Sequence, residues 1–266
     1  MTAPSVVLLG YGGEHPHVAG VSHGIRDGLL EIRPELDVHV SFLDSSPPSG
    51  LQLVSRLVKH GAGEIVFVPL VLSDAFEAPA VVPDLVAQIR AAHPQAQVIA
   101  SRPVGPEAQL LAVIDRRLRE ALRASRASEL DGLVFAAAGS RDVRSNAIVA
   151  RRARQWSSHH KLPCVTAFAS GSGPSTAEAI RTLRGHGRRH IAVGSWFLTP
   201  GEPYAHQAEL ALSRGAVAVS APIGPEPEVV QAVLARYLVA AMELVDLDES
   251  LEPQRPPVPH LAVVGA

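Results

Sequence analysis

A single cysteine, Cys164, stands in 266 residues. A lone thiol forms no intramolecular disulfide and supplies no Cys-pair metal site. Aromatic residues are scarce, at 4%, and the formal net charge is only −2. Base-stacking platforms are therefore missing, and so is a basic footprint for nucleic acid or for an anionic membrane surface. No run approaches the roughly 18 apolar residues of a membrane span, and no charged-then-apolar segment opens the chain. These absences lead to the expectation of a soluble, cytoplasmic protein; the expected partner is a small molecule, and the expected state a monomer or homodimer. Hydrophobic residues make up 47%, enough for a large core in one or two domains. Histidine is the one abundant reactive type, at 12 residues.

The stretch Val6-Val7-Leu8-Leu9-Gly10-Tyr11-Gly12-Gly13-Glu14-His15-Pro16-His17 organises the rest. A short apolar run stopped by glycines reads as a buried strand. Pro16 suits the first turn of a following helix, where its missing N–H costs nothing. Strand, glycine loop and helix form the unit that binds ligands at the carboxyl edge of a parallel sheet. The spacing is not that of a dinucleotide loop, because His15 stands where the third glycine would fall.

Strands and helices then alternate. Val18, Val21, Ile25, Leu29 and Ile32 recur at helical spacing up to Pro34. Residues 37–43 alternate as a strand, and a helix follows Gly50. Residues 65–72 form a continuous apolar run, the expected central strand. A helix is expected from Pro83 to Ala92, a strand over 97–102, and a helix opened by Gly105-Pro106 and running to Ala124. This order predicts a parallel sheet covered by helices on both faces. The pattern then repeats. Residues 133–140 echo the first strand and loop, 191–198 echo 65–72, and Ile223-Gly224-Pro225-Glu226 echoes Val104-Gly105-Pro106-Glu107. The fold class expected is α/β, two similar doubly wound parallel-sheet halves over 1–124 and 132–245, facing each other across a cleft. A Pro-rich tail, 246–266, is expected to be extended.

The residues 38–44, Val68-Pro69-Leu70-Val71-Leu72 with Ala75-Phe76, Pro83, Gly139-Ser140-Arg141-Asp142, Ala167-Phe168-Ala169-Ser170, and Leu198 followed by Pro200-Gly201 carry a resemblance running from about Val6 to Ala241. In order and with the duplication, the chain resembles the two-half sirohydrochlorin chelatases of the class II chelatase superfamily, which insert cobalt, iron or nickel into tetrapyrroles. The resemblance implies a metal and tetrapyrrole site in the first half. The family's first loop reads Gly-His-Gly-Ser-Arg-Asp-Pro, and here Tyr11 replaces the histidine. A second family motif ends Ala-Phe-His, and here Glu77 follows Ala75-Phe76. Ala138 stands at the matching place in the second half.

Imidazole and carboxylate suit cobalt, nickel, iron and zinc. The expected metal ligands are thus Glu77, His15, His17 and Asp74, with the divalent ion between the loop after the first strand and the 74–77 loop. Glu77, Tyr11 and His15 are the expected catalytic groups. Gly10, Gly12, Phe76, Ser140 and Trp196 are expected to bind substrate, with Tyr204 and His206 near the cleft. Plainer readings stand beside these. His15 and His17 also suit an exposed helix start, Tyr11 a packing role, and Glu77 a site that no longer binds metal. His159-His160 reads as a polar loop, and Cys164 as buried and inert. Three functions fit: a divergent tetrapyrrole metal chelatase, an enzyme of the same fold reused for another substrate in a specialised pathway, or a non-catalytic metal or tetrapyrrole carrier.

Overall fold

The computed structural model describes residues 3–43, 46–72, 78–171 and 173–251. The first half runs β1 (Ser5–Gly10), α1 (Pro16–Ile32), β2 (Val38–Phe42), α2 (Gly50–Lys59), β3 (Glu64–Pro69), α3 (Ala78–Ala92), β4 (Gln97–Ala100) and α4 (Leu110–Ala124). The second repeats it as β5 (Gly132–Ala137), α5 (Val143–His160), β6 (Cys164–Phe168), α6 (Thr176–Gly185), β7 (Ile191–Trp196), α7 (Glu202–Ser213), β8 (Ala218–Val219) and α8 (Pro227–Leu251). The spacing from Ser5 to Gly132 equals that from Pro16 to Val143. The α2 and α6 helices open with the same device, a capping box of Ser49 with Gln52 and of Ser175 with Glu178.

Both sheets are wholly parallel, ordered β2-β1-β3-β4 and β6-β5-β7-β8. Val6 pairs with Val38 on one side and Val66 on the other; Leu133 pairs with Cys164 and Ala192. The chain leaves β1 in one direction and returns on its other side at β3, so a crevice opens at the carboxyl ends of β1 and β3, and likewise at β5 and β7. Strands buried on both faces explain the continuous apolar runs. Val7, Leu9, Ile65 and Phe67 pack under α2 and α3, whereas Val6, Leu8, Val66 and Val68 face the opposite way.

What covers that opposite face is α1 together with α8, while α4 crosses to the second sheet and packs with β7 and β8. Each half therefore lends its last helix to the other. One continuous core results, running from Ile25 and Val68 through Val233 and Ile114 to Phe135 and Trp156. Ion pairs fasten the two exchanged helices. Arg116 donates to Glu226 at 2.7 Å and to Glu228 at 2.6 Å, Arg117 donates to Glu226 at 2.6 Å, and Arg236 pairs with Glu107. The hydrogen bond from Arg116 holds the Glu228 carboxyl below its ordinary pKa. These side chains are partly exposed, so each pair contributes about 1 kcal/mol at most.

Several boundaries differ from the sequence expectation. The α3 helix starts at Ala78, so Pro83 lies inside it; Pro79 also suits a first turn and is the proline that marks the start. The α4 helix starts at Leu110, after Gly105-Pro106. Gly105 instead serves a close approach, because a side chain there would collide with the backbone of Leu72. His159 and His160 form the last turn of α5 before Lys161 closes it with φ 55°, so they are helical and not in a loop. The α8 helix continues to Leu251, past residue 246 where the extended tail was expected; residues 252–266 lie outside the described residues. No described helix is long and apolar enough to cross a membrane.

Cys164 opens β6, and burial pushes its thiol up to about 12. At about pH 8 it holds about a thousandfold less thiolate than a free cysteine. Ellman's reagent is expected to label the native protein far more slowly than the urea-unfolded chain. Comparable rates would mean that the thiol is not shielded by the fold.

Candidate functional site

The loops at the carboxyl ends of β1, β3, β5 and β7 meet around a cavity of about 250 Å³ between the halves. The first half supplies Gly10, Tyr11, Gly12 and His15 from the glycine loop, Val18 and Ser22 from α1, and Leu70–Leu72 after β3. The second supplies Ala138 after β5, Trp196–Thr199 at the end of β7, and Gly201–Tyr204 at the start of α7.

Local sequence explains the mouth. Gly12 turns the loop with φ +82°, a left-handed conformation that an L side chain resists. His15 is then the N-cap of α1, with no side-chain capping bond, and Pro16 takes the first turn. Gly139 repeats this turn after β5 with φ +84°.

The wall is apolar: Leu70, Leu72, Trp196, Phe197 and Leu198 are all buried. Its polar groups are few. Tyr11 is half exposed at the rim, at 52%. The Tyr204 ring packs edge-on to Phe197 with centroids 6.0 Å apart, and burial raises its phenol pKa, so at neutral pH it is a hydrogen-bond donor. Among the described residues the indole Nε1 of Trp196 has no hydrogen-bond partner, and the atom has no exposed surface. His15, Ser22, Thr199 and Glu202 complete the polar set. Among the described lining residues there is no lysine or arginine.

The structure brings together five of the expected residues: Gly10, Tyr11, Gly12, His15 and Trp196. His17 is exposed on the first turn of α1 and does not line the cavity. Ser140 does not line it either. The Ser140 hydroxyl accepts from the Asp142 N–H at 3.0 Å, and its peptide groups are bound at both ends by the Asn146 side chain at 2.8 Å. It builds the loop after β5 and is not presented to a ligand. Of the two second-half residues expected near the cleft, Tyr204 lines it and His206 does not. Asp74, Phe76 and Glu77 lie outside the described residues. Sequence reading missed Ser22, Thr199 and Glu202. The signal for the last two was Pro200-Gly201, which ends β7 and starts a helix at the same sheet edge.

The sequence profile of the CbiX family matches residues 5–121 and 132–240, one copy of the strand–helix pattern in each segment. A curated sirohydrochlorin cobaltochelatase of Priestia megaterium is 20% identical over 205 residues, which are 74% of this chain and 65% of that protein. The chain thus spans a little under two thirds of that relative's length. Among solved structures, SirB from Bacillus subtilis with Fe³⁺ superposes with a TM-score of 0.74 at 19% identity, covering 92% of this chain and 98% of that one. CbiX, the terminal enzyme of siroheme biosynthesis in denitrifying bacteria, gives 0.60 at 19% identity over 89% and 99%. At these identities the structural likeness establishes the fold.

Proposed function

We propose, from the premise that this chain belongs to the CbiX family, that it inserts a divalent cobalt, iron or nickel ion into a tetrapyrrole related to sirohydrochlorin. The observation that carries the reading is the cleft itself. It lies at the carboxyl ends of β1, β3, β5 and β7, the switch points of both sheets, and both halves of the family match contribute to it.

Insertion exchanges two pyrrole N–H protons for one metal ion, so the site needs a flat apolar wall, a proton acceptor and a weak metal contact. The Trp196, Leu72 and Phe197 surfaces suit a macrocycle face, with the Tyr204 phenol as a donor to its polar edge. His15 at the rim is a proton acceptor or metal contact when neutral. Glu77, at the place where the family carries a ligand, and Asp74, three residues upstream, are proposed to complete the set, with Tyr11 orienting the ring.

A second reading is favoured by the charge of the wall. A tetrapyrrole rich in carboxylates calls for cations, and the described lining has no lysine or arginine. A smaller or less acidic substrate, handled by the same fold in another pathway, matches an apolar cavity of about 250 Å³ better. One set of measurements separates the readings. Protein is mixed anaerobically with sirohydrochlorin and Co²⁺ or Fe²⁺ and the absorption spectrum followed, with parallel binding of the acid and of its carboxylate-esterified form. The chelatase reading expects insertion well above the spontaneous rate, falling at least about tenfold in Glu77→Ala and His15→Ala. Insertion no faster than in buffer sinks it. In that case preference for the ester supports the reused cleft, and tight binding of the acid points to a carrier.

A further inference from the structure

We infer that Asp115, His159 and His160 form a second divalent-metal site outside the cleft, suited to zinc, nickel or cobalt(II), and that the ion clasps the exchanged helix α4 to α5. None of the three lines the cavity, and the inference does not depend on what the cleft binds.

Asp115 sits in the second turn of α4, 7% exposed, among the apolar residues Leu111, Ile114 and Leu118. A buried carboxylate is costly unless something cationic answers it. Among the described residues its ion-pair partners are the two histidines at the end of α5, and no lysine or arginine reaches it. His160 Nε2 lies 2.8 Å from Oδ1 and His159 Nε2 lies 3.6 Å from Oδ2; the donor atoms of all three side chains fall within 4.8 Å of one another. Two ligand atoms each about 2.1 Å from an ion stand about 3.0 Å apart at a right angle and about 3.4 Å apart at the tetrahedral angle. The observed spacings bracket those values.

The surroundings have the form of a supported metal site. Trp156 Nε1 donates to Oδ1 of Asp115 at 2.5 Å, which fixes the carboxylate from behind as outer-shell donors do. Trp156 is itself locked, 1% exposed and edge-on to Phe135 with centroids 5.6 Å apart. The site lies at the carboxyl end of an 18-residue helix, where the negative end of the macrodipole favours a cation. The side chain of His159 is 71% exposed, which gives an ion a way in and leaves coordination positions to water. Two imidazoles and one carboxylate select zinc, nickel, cobalt or iron over magnesium and calcium.

The position gives the ion a purpose. Asp115 belongs to the first half by sequence, and both histidines belong to the second. An ion held by all three ties α4 to the sheet that it covers.

The test is titration of chelator-stripped protein with Zn²⁺ by calorimetry and with Ni²⁺ by tryptophan fluorescence, on wild type, His159→Ala, Asp115→Asn and His15→Ala. Wild type is expected to bind at micromolar or tighter affinity. Ni²⁺ should quench emission, because the ion lies beside Trp156. A hundredfold excess of zinc over Kd should raise Tm by about 5–10 °C. His159→Ala, at an exposed position that leaves the fold intact, is expected to weaken binding about tenfold or more and to abolish both quenching and the Tm shift. His15→Ala removes only a proposed cleft contact, so it should leave in place the binding event, the quenching and the Tm shift that His159→Ala removes. Asp115→Asn should behave as His159→Ala; if it fails to fold, His159→Ala decides alone. The site is overturned if His159→Ala titrates like wild type, if His15→Ala removes the only binding event, or if no ion binds below millimolar concentration. The last result would leave the cluster as a metal-free Asp–His hydrogen bond.

Discussion

Replacing Phe135 by alanine is expected to cost about 3–5 kcal/mol and to lower Tm by roughly 10 °C. Phe135 is fully buried on the central strand of the second sheet. Its ring lies 5.6 Å from that of Trp156, edge-on, and 5.4 Å from that of Trp196, tilted by 33°. It fills the space between the two tryptophans, so its removal opens a cavity that two rigid neighbours cannot close. The loss reaches two places at once. Trp196 is a wall of the cleft, and Trp156 holds Asp115. Urea denaturation should show a lower midpoint with an unchanged slope, and native emission should shift to the red. A loss under about 1 kcal/mol would mean that the second half is not packed through this ring.

The next largest effect is expected at Gly139, and it has an internal control. Gly12 and Gly139 hold the same backbone turn, at φ +82° and +84°. A methyl group at Gly12 would meet only Val18, at 3.4 Å, whereas one at Gly139 would collide with the carbonyl oxygen of Ser170 and crowd Phe168. Gly12→Ala should therefore cost about 1–2 kcal/mol, the price of the left-handed conformation alone. Gly139→Ala should cost about 3 kcal/mol or more, because backbone must also move. That movement displaces Ala138 and narrows the cleft. Equal costs for the two variants, measured by chemical denaturation, would show that the loop after β5 yields freely.

Much of this was legible beforehand. The alternation of apolar runs with helical stripes, and its repetition, is a direct consequence of strands buried on both faces and helices buried on one. The glycine loop with His15 and Pro16 marked the end of β1 and the start of α1, because glycines stop an apolar strand and proline suits a first helical turn. The helix exchange was not legible. The stripe Leu110, Leu111, Val113, Ile114 and Leu118 says that α4 has an apolar face, but the same stripe would suit either sheet. Asp115 inside that stripe was the visible irregularity, and it has meaning only once His159 and His160 are placed opposite. Those histidines read as loop because polar residues surround them, whereas Trp156, Ala153 and Val149 carry the buried face of α5 up to that point. Ser140 lies off the cavity lining for a local reason. Its place in the motif is that of a ligand group, yet Asn146 and Asp142 absorb its bonding.

The exchange of α4 and α8 also sets an order in time. During synthesis, β1 to β4 can pair as soon as residue 100 has left the ribosome, but the α8 half of their cover begins only at Pro227. At the usual rate of elongation that interval is roughly 6–25 s. Throughout it, α1 can cover β1 and β2, but the same face of β3 and β4, around Val66 and Ile99, lacks the helix that packs on it in the finished fold. A nascent chain paused between the halves therefore presents a sticky, half-covered sheet. That interval, before the second half is complete, is when the chain has the most apolar sheet surface to shield.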